Sequence, residues 1–149
     1  MESVFYRIVV PTDFSACADE AWWLAQRVAR ASGAELVLLH VLVESPLYDE
    51  GPFSMGRVRE VYEASRKWAA ERLQEYAAKA SSTGVRVRTA LRTGVPHQEI
   101  IAVATDERAD LVVIGTHGRG ALERTLLGSV SDRVIRLAPC PVLSVRAPA

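Results

Sequence analysis

The chain has 149 residues and a formal net charge of zero, with 18 basic and 18 acidic side chains. Hydrophobic residues make up 49% of it and charged residues 24%, which is typical of a globular protein and excludes a disordered chain. The balanced charge argues against a nucleic-acid-binding protein with a large basic face and against a polybasic membrane anchor. The length fits a single domain, which we expect over residues 1–149. From the balanced charge we expect neither a nucleic acid nor a membrane as a partner.

The N-terminus and the cysteines favour a cytoplasmic location. Residues 1–7 lack the basic and apolar regions of a signal peptide, and no apolar run approaches the roughly 20 residues of a spanning helix. Cys17 and Cys140 lie 123 positions apart and match no metal-binding or redox spacing. They can in principle form one disulfide. Since a domain of this size needs no such cross-link, we expect two buried or half-buried thiols instead.

Five short apolar runs predict five β-strands. They cover residues 7–10, 36–42, 85–91, 111–114 and 141–145. The first, second and fourth runs are continuous, as in strands that are buried on both faces, so we predict them at the centre of a sheet. The third run alternates between apolar and polar residues, which predicts an edge strand with one face in water.

Amphipathic helices are predicted between these strands. They cover residues 15–33, 58–84, 96–108 and 129–139. Ser15 can cap the first helix and Gly33 can end it, while Val61, Trp68 and Leu73 belong to the apolar stripe of the second. The segment 44–56 is rich in proline and glycine and predicts a long loop.

Strands that alternate with helices predict an α/β fold built from βαβ units. We expect a single-domain, Rossmann-like open sheet of five parallel strands in the order 3-2-1-4-5, with helices on both faces. Such sheets bind ligands at the carboxyl ends of their strands, where the strand order reverses. The residues that follow the first and fourth strands are therefore the first candidates for a functional site.

The first strand leads into Pro11-Thr12-Asp13. A carboxylate between a buried strand and a helix can accept hydrogen bonds from the two hydroxyl groups of a ribose. It can equally help to cap the following helix, and the sequence leaves both roles open. Asp13 is also a possible ligand of a Mg²⁺ ion held together with phosphates, although a single carboxylate is weak evidence for a metal site.

A glycine-rich segment follows the fourth strand. Gly115, Gly118 and Gly120 occur within six residues, and Gly128-Ser129 begins the fourth helix. Glycines let backbone N–H groups face an anion, and Ser129 adds a hydroxyl group at the positive end of a helix dipole. A plain glycine-rich turn is the alternative. The combination of strand, glycines and helix start favours phosphate binding.

Two common phosphate-binding motifs are excluded. A Walker A loop needs Lys and Ser or Thr after its second glycine, whereas Ala121-Leu122 follows Gly120. The dinucleotide fingerprint needs a further small residue and belongs to the first strand–helix turn, whereas these glycines follow the fourth strand.

The spacing Gly115-x2-Gly118-x9-Gly128-Ser129 matches the G-2x-G-9x-G-S/T motif of the universal stress protein family. The chain resembles this family along essentially its whole length, in the branch that binds ATP or AMP. The likeness includes Pro11-Thr12-Asp13 and Pro139-Cys140-Pro141 before the last strand. The resemblance implies ATP or AMP as the bound cofactor, together with a possible Mg²⁺ ion.

The resemblance also implies a role for each matching residue. Asp13 matches the ribose position, Val41 matches the position whose backbone reads the adenine edge, and Pro11 and Thr12 match the base pocket. The positions that cradle phosphates are Gly115, Gly118, Gly128 and Ser129, with Thr116, His117, Arg119, Gly120, Val130 and Ser131 as neighbours. The family pattern further implies a homodimer through the last strand, residues 142–146. Pairing of this strand with its copy would cover an apolar sheet edge.

Few residues point to catalysis. His40, His97 and His117 are scattered, and no Ser, His and acidic residue share an evident site. We expect His40 to be a hydrogen-bonded core residue, and His117 either to donate to a phosphate or to be exposed. The sequence therefore favours a regulatory or sensor module that binds ATP or AMP. The alternatives are a slow, partner-activated ATPase and a dimeric interaction or chaperone-like module with a vestigial pocket.

Overall fold

Strands and helices alternate through the three parts of the chain that the computed structural model describes, residues 2–43, 55–117 and 127–146. The elements are β1 (Arg7–Pro11), α1 (Ala16–Ser32), β2 (Glu35–Val43), α2 (Met55–Ser81), β3 (Val87–Gly94), α3 (Pro96–Asp106), β4 (Leu111–Gly115), α4 (Ser129–Leu137) and β5 (Val142–Val145). Residues 44–54 of the loop predicted over 44–56 lie outside the described residues. Residues 55 and 56 begin α2, so the loop prediction is wrong for these two.

The strands form one parallel sheet in the order β3-β2-β1-β4-β5. This order confirms the predicted fold class. The continuous apolar runs became the central strands β1, β2 and β4, and all five residues of β4 are buried. The alternating run became the edge strand β3, as predicted.

The bounds of β3 differ from the prediction, which placed the strand at 85–91. The strand covers Val87–Gly94 because it pairs with β2 along its full length, from Leu36 opposite Val87 to Val43 opposite Gly94. Its end is therefore fixed by the partner strand. The apolar pattern of β3 itself carries no signal for this extension.

Helices cover both faces of the sheet and create two cores. Successive β1 side chains point to opposite faces, as the pleat of a strand requires. Ile8 and Val10 are fully buried in the core formed with α1 and α2. Val9 is fully buried in the core formed with α3 and α4. The two faces of the sheet thus hold two different helix pairs.

The caps predicted for α1 are present. Ser15 Oγ accepts a hydrogen bond from the Ala18 N–H at 3.2 Å. Gly33 has a left-handed backbone with a φ of 77°, and its N–H donates to Ala29 O at 2.7 Å. Only glycine adopts that conformation at little cost, so this residue ends the helix.

Charged side chains form a network near the amino ends of the strands. Arg88 Nη2 lies 2.6 Å from Glu107 Oε2, and Arg88 Nε lies 2.8 Å from Glu35 Oε1. The hydrogen bond from Arg88 holds the pKa of Glu107 below its ordinary value. This network joins β2, β3 and the end of α3, at the edge of the sheet opposite the carboxyl ends of the strands.

Both cysteines are free thiols, as predicted: Cys17 is buried and Cys140 is half-buried. Burial raises the pKa of the Cys140 thiol. Over the described ranges 2–43, 55–117 and 127–146, none of the helices has the length and apolar character needed to cross a membrane. The cytoplasmic location stays a prediction from the sequence.

Candidate functional site

A cavity of about 1160 Å³ opens at the carboxyl ends of the strands, the edge called here the carboxyl edge of the sheet. The ends of β1, β2 and β4, the first residues of α4 and the N-terminal half of α2 contribute to its wall. The strand order reverses at β1, from which the sheet grows towards β2 on one side and β4 on the other. The cavity therefore lies where open α/β sheets bind their ligands, and it exceeds the roughly 300–1,000 Å³ of ordinary small-molecule sites.

Most of the described residues that the sequence singled out line this cavity. They are Pro11, Thr12, Asp13, Val41, Gly115, His117, Gly128, Ser129, Val130 and Ser131. Thr116 is buried next to the wall, and its Oγ1 lies 2.8 Å from His117 Nδ1. Gly118, Arg119 and Gly120 lie outside the described residues. The roles of all these residues in binding stay predictions.

The turn after β1 places a carboxylate on the cavity wall. Asp13 Oδ1 accepts a hydrogen bond from the Ser15 N–H at 3.0 Å, and Thr12 Oγ1 accepts one from the Phe14 N–H at 3.0 Å. Phe14 has a φ of 63°, a left-handed conformation that is rare for a bulky residue. Asp13 therefore stabilises the entry into α1, the structural role left open by the sequence, and it lines the cavity as well.

At two of the motif glycines, neighbouring atoms lie so close that they leave no room for a side chain, independently of any ligand. A Cβ atom at Gly115 would lie 2.9 Å from Cys17 Sγ, and one at Gly128 would lie 2.9 Å from Thr116 O. The Gly128 N–H also donates to Thr116 O at 2.7 Å, so the two backbone segments are in direct contact. These glycines bring β4, α1 and α4 together at the cavity, whatever the cavity binds.

The N-terminus of α4 is held against β4 and opens towards the cavity. Ser131 is 4% exposed, and its Oγ donates to Gly115 O at 2.6 Å. Gly128 precedes the helix, and no side chain caps this end among the described residues. Ser129, the first helical residue, is exposed on the wall. An uncapped helix start presents N–H groups and a partial positive charge, and both suit an anion.

His117 adds an unsatisfied nitrogen to the same wall. Its Nδ1 lies 2.8 Å from Thr116 Oγ1, whereas the buried Nε2 has no hydrogen-bond partner within the described residues. Buried polar atoms are nearly always paired, so an unpaired one beside a cavity indicates a place for a ligand group or water.

The prediction that His40 is a hydrogen-bonded core residue is only half right. It is hydrogen-bonded as expected, because its Nδ1–H donates to Thr12 O at 2.7 Å. However, the residue is half-buried on the cavity wall and does not lie in the core. Its place near the carboxyl end of β2 was a signal that could have identified it as a site residue.

Other residues of the wall were not predicted. Phe14 follows Asp13 directly, and Val61, Ser65 and Trp68 come from α2. The apolar spacing of α2 predicted burial against the sheet, but Val61 is 65% and Trp68 is 45% exposed. The reason is that Val61 and Trp68 lie on a side of the helix that borders the cavity, whereas its buried side carries Ala69, Leu73 and Ala80.

The described residues contain no group of three or more His, Cys, Asp or Glu side chains that could hold a metal ion. Asp13 is the carboxylate that the sequence associated with Mg²⁺, and no other metal-ligating side chain of the described chain joins it in such a group. The Mg²⁺ ion stays a prediction.

Comparisons with known proteins identify the family. The profile of the universal stress protein family matches residues 5–146. The universal stress protein MJ0531 of Methanocaldococcus jannaschii is 38% identical over 150 residues, which span 99% of this chain and 85% of the relative. MJ0577 of the same organism is 30% identical over 98% of both chains. Its solved structure superposes with a TM-score of 0.84 and covers 97% of each chain.

One further solved structure is of a universal stress protein in complex with cAMP. It is 26% identical to this chain, has a TM-score of 0.69, and the match covers 98% of this chain and 100% of the other. Family profile, relatives and fold agree over nearly the whole length. The chain belongs to the universal stress protein family.

Proposed function

We propose that this protein binds an adenine nucleotide, ATP or AMP, at the carboxyl edge of the sheet and acts as a regulatory or sensor module. The proposal rests on one observation. The ends of β1 and β4 and the N-terminus of α4, which no described side chain caps, border the same cavity. Support comes from the cAMP complex of a family member, because cAMP contains the same adenosine unit. We place the binding site within a single domain formed by residues 1–149.

The phosphates belong at the start of α4. Among the described residues no side chain caps the backbone N–H groups there, Ser129 is exposed on the cavity wall, and His117, whose buried Nε2 has no partner among these residues, lines the same cavity. These groups are donors or can act as donors, which an anion with several oxygens can satisfy together. Gly118 keeps the phosphate-cradling role that the family motif assigns to it, with Arg119 and Gly120 as neighbours.

The nucleoside belongs at the ends of β1 and β2. Asp13 supplies the carboxylate for the ribose hydroxyl groups, and Pro11 and Thr12 lie beside it on the wall. Val41 is the half-buried strand residue whose backbone would meet the edge of adenine. If Mg²⁺ accompanies the phosphates, Asp13 is the described carboxylate able to reach the same ligand, and the ion would neutralise phosphate charge.

A charge reversal at Ser129 tests the proposal. Ser129→Asp places a carboxylate where the phosphates are proposed to bind, while it also suits the helix dipole, so the fold is retained. Ser129→Asn is the neutral control of nearly the same shape. We expect calorimetry to show ATP bound at least roughly tenfold more weakly by the Asp variant than by the Asn variant, since like charges about 4 Å apart repel by up to about 4 kcal/mol near a protein surface. Adenosine, which carries no phosphate, should bind both variants equally.

Two results would contradict the proposal. One is the absence of ATP and AMP binding to the wild-type protein at millimolar concentrations. The other is equal ATP affinity of the Asp and Asn variants, which would place the phosphates elsewhere. No contact among the described residues favours the slow ATPase or the interaction module over nucleotide binding.

We also propose that the protein forms a homodimer through its last strand, residues 142–146. β5 is an edge strand of the sheet, and Leu143 is 37% exposed on it. The adjacent α4 exposes Ile135 by 42% and Leu137 by 60%. An exposed apolar edge invites pairing with another strand, and a second copy of the same chain supplies one.

A further inference from the structure

The first turns of α2 leave an apolar surface open to the cavity. Leu73 and Ala77 of this 27-residue helix are buried against the sheet, whereas Val61 and Trp68, which lie on another side of the helix, are 65% and 45% exposed. Both border the cavity, as does Ser65 between them. An exposed indole and a valine that line a cavity are not accounted for by the packing of the core.

Aromatic rings gather next to this surface. The ring centroids of Phe14 and Trp68 lie 5.2 Å apart at an angle of 82°, and those of Phe14 and His40 lie 4.8 Å apart at 37°. The Tyr76 ring, which is not part of the cavity lining, lies 5.6 Å from the Phe14 ring, and the Tyr76 hydroxyl donates to Asp19 Oδ1 at 2.8 Å. The Arg72 guanidinium lies 5.7 Å from the Trp68 ring centre.

Hydrogen bonds hold the backbone of Phe14 and the rings of His40 and Tyr76 in place. The Phe14 N–H donates to Thr12 Oγ1 at 3.0 Å, and His40 Nδ1–H donates to Thr12 O at 2.7 Å. Burial and the Asp19 carboxylate raise the pKa of Tyr76, so its hydroxyl keeps the proton that bonds to Asp19. Rings that are held in place before a ligand arrives lose little entropy when it binds.

The aromatic rings lie on a different side of the cavity from Val41 and the start of α4. Val41 packs with the core under α3 and α4, and so does the start of α4 through Val130. His40 and Leu42 alternate with Val41 along β2, so they face the helix pair α1 and α2. The cavity thus has a second wall, formed by Phe14, His40, Leu42, Val61, Ser65 and Trp68. We call it the α2-side wall.

We infer that the α2-side wall is a stacking subsite for a planar aromatic or heteroaromatic ring of the ligand, and that Trp68 is its specificity-determining residue. The inference rests on the proposed function, because it assumes that the cavity binds a small molecule. The ring is either the base of the nucleotide or a second ring bound beside it, and the volume of about 1160 Å³ has room for either. Ring faces stack with little dependence on sequence or substituent, so the wall selects for planarity.

The test compares Trp68→Leu with Trp23→Leu, since Trp23 is also helical and is 56% exposed but does not line the cavity. We expect Trp68→Leu to weaken adenosine binding at this subsite about 5- to 150-fold, the range for loss of one base–aromatic stack. ATP binding should weaken to the same extent if the subsite takes the base of the nucleotide. Binding of inorganic tripolyphosphate, which has no ring, should be unchanged. Trp23→Leu should bind all three probes as the wild type does, and Trp68→Phe should restore most of the affinity.

A competition experiment distinguishes the two sources of the ring. If adenosine and ATP exclude each other, the subsite takes the base of the nucleotide. If saturating ATP leaves adenosine binding intact and Trp68-dependent, the subsite takes a second ring. Fluorescence gives an independent measurement: the ligand-induced change in tryptophan emission should disappear in Trp68→Phe.

Unchanged ATP and adenosine affinities in Trp68→Leu, with unchanged quenching in Trp68→Phe, would overturn the inference and leave the proposed function intact. Equal losses for ATP and tripolyphosphate would also overturn it, since they would show a structural effect on the whole cavity. Failure of the wild-type protein to bind ATP, AMP and adenosine would instead refute the proposed function itself, and the inference with it.

Discussion

Ser131→Ala removes the hydrogen bond that holds α4 against β4. The Oγ of this 4% exposed residue donates to Gly115 O at 2.6 Å, so the alanine variant leaves a buried carbonyl oxygen without this donor. Leaving a buried polar group unpaired costs about 1–3 kcal/mol. For a domain of this size each kcal/mol lowers Tm by roughly 2–4 °C, so we expect a fall of roughly 2–12 °C.

Thermal and urea denaturation measure the change, and Ser129→Ala is the matched control. Ser129 is exposed on the same helix, and its side chain does not cap the helix start. We expect the control to change the free energy of unfolding by less than about 0.5 kcal/mol. The urea m-value should stay constant in both variants, because neither changes the surface exposed on unfolding. If Ser131→Ala were no less stable than Ser129→Ala, the bond to Gly115 would contribute nothing, and the fixed position of the helix start would need another explanation.

Two further predictions concern the motif glycine and the sheet edge. Gly128→Ala should destabilise the protein by about 1–3 kcal/mol because its Cβ would lie 2.9 Å from Thr116 O. Gly56→Ala in α2, where a Cβ would meet no described atom within 4 Å, should be neutral or up to about 1 kcal/mol stabilising. Equal unfolding free energies of the two variants in urea would contradict the crowding at Gly128. Leu143→Asp should convert a dimer to a monomer in sedimentation velocity, while Val4→Asp, at a residue that is 77% exposed and outside β5, should not. A monomeric wild-type protein at tens of micromolar would refute the proposed dimer.

The fold was predictable from local patterns because buried strands and amphipathic helices have different apolar periods. Leu111–Gly115 is apolar without interruption and is buried throughout. Ser15 caps the start of α1 and Gly33 ends the helix, for reasons visible in the residue types alone. The end of β3 was not predictable in this way. It extends to Gly94 because β2 offers pairing partners up to Val43, and such a long-range contact has no local signature.

The candidate site was predictable where a motif encodes it. Pro11 and Gly115 end strands, Asp13 follows one and Ser129 begins a helix. The topology brings such positions to one edge. Trp68 was missed because its apolar character alone placed it on the stripe of Leu73, whereas at 3.6 residues per turn the two residues lie on different sides of α2. A second apolar side of a helix does not show by itself whether core residues or a cavity lies next to it.

The structure also changes how the glycine motif should be tested. Replacing Gly128 with a larger residue would bring the new side chain against the backbone of Thr116, so a loss of binding could reflect a displaced helix and not a lost phosphate contact. Ser129 lacks this problem because it is exposed and its side chain is not needed as a cap. It is therefore the better position at which to test binding, and Gly128 the better position at which to test packing.

A chain with zero net charge can still bind an anion, because α4 can supply the attraction without charged side chains. Charge counts include side chains only, whereas the start of α4 offers backbone N–H groups and a helix dipole. Arg136 lies in the last turn of this helix, at the end opposite Gly128, and its Nε lies 3.1 Å from Asp132 Oδ1. Substitution of Arg136 should consequently leave phosphate affinity nearly unchanged, whereas one carboxylate at Ser129 should lower it. If affinity followed the arginine and ignored the carboxylate, side-chain charge and not the helix start would hold the phosphates.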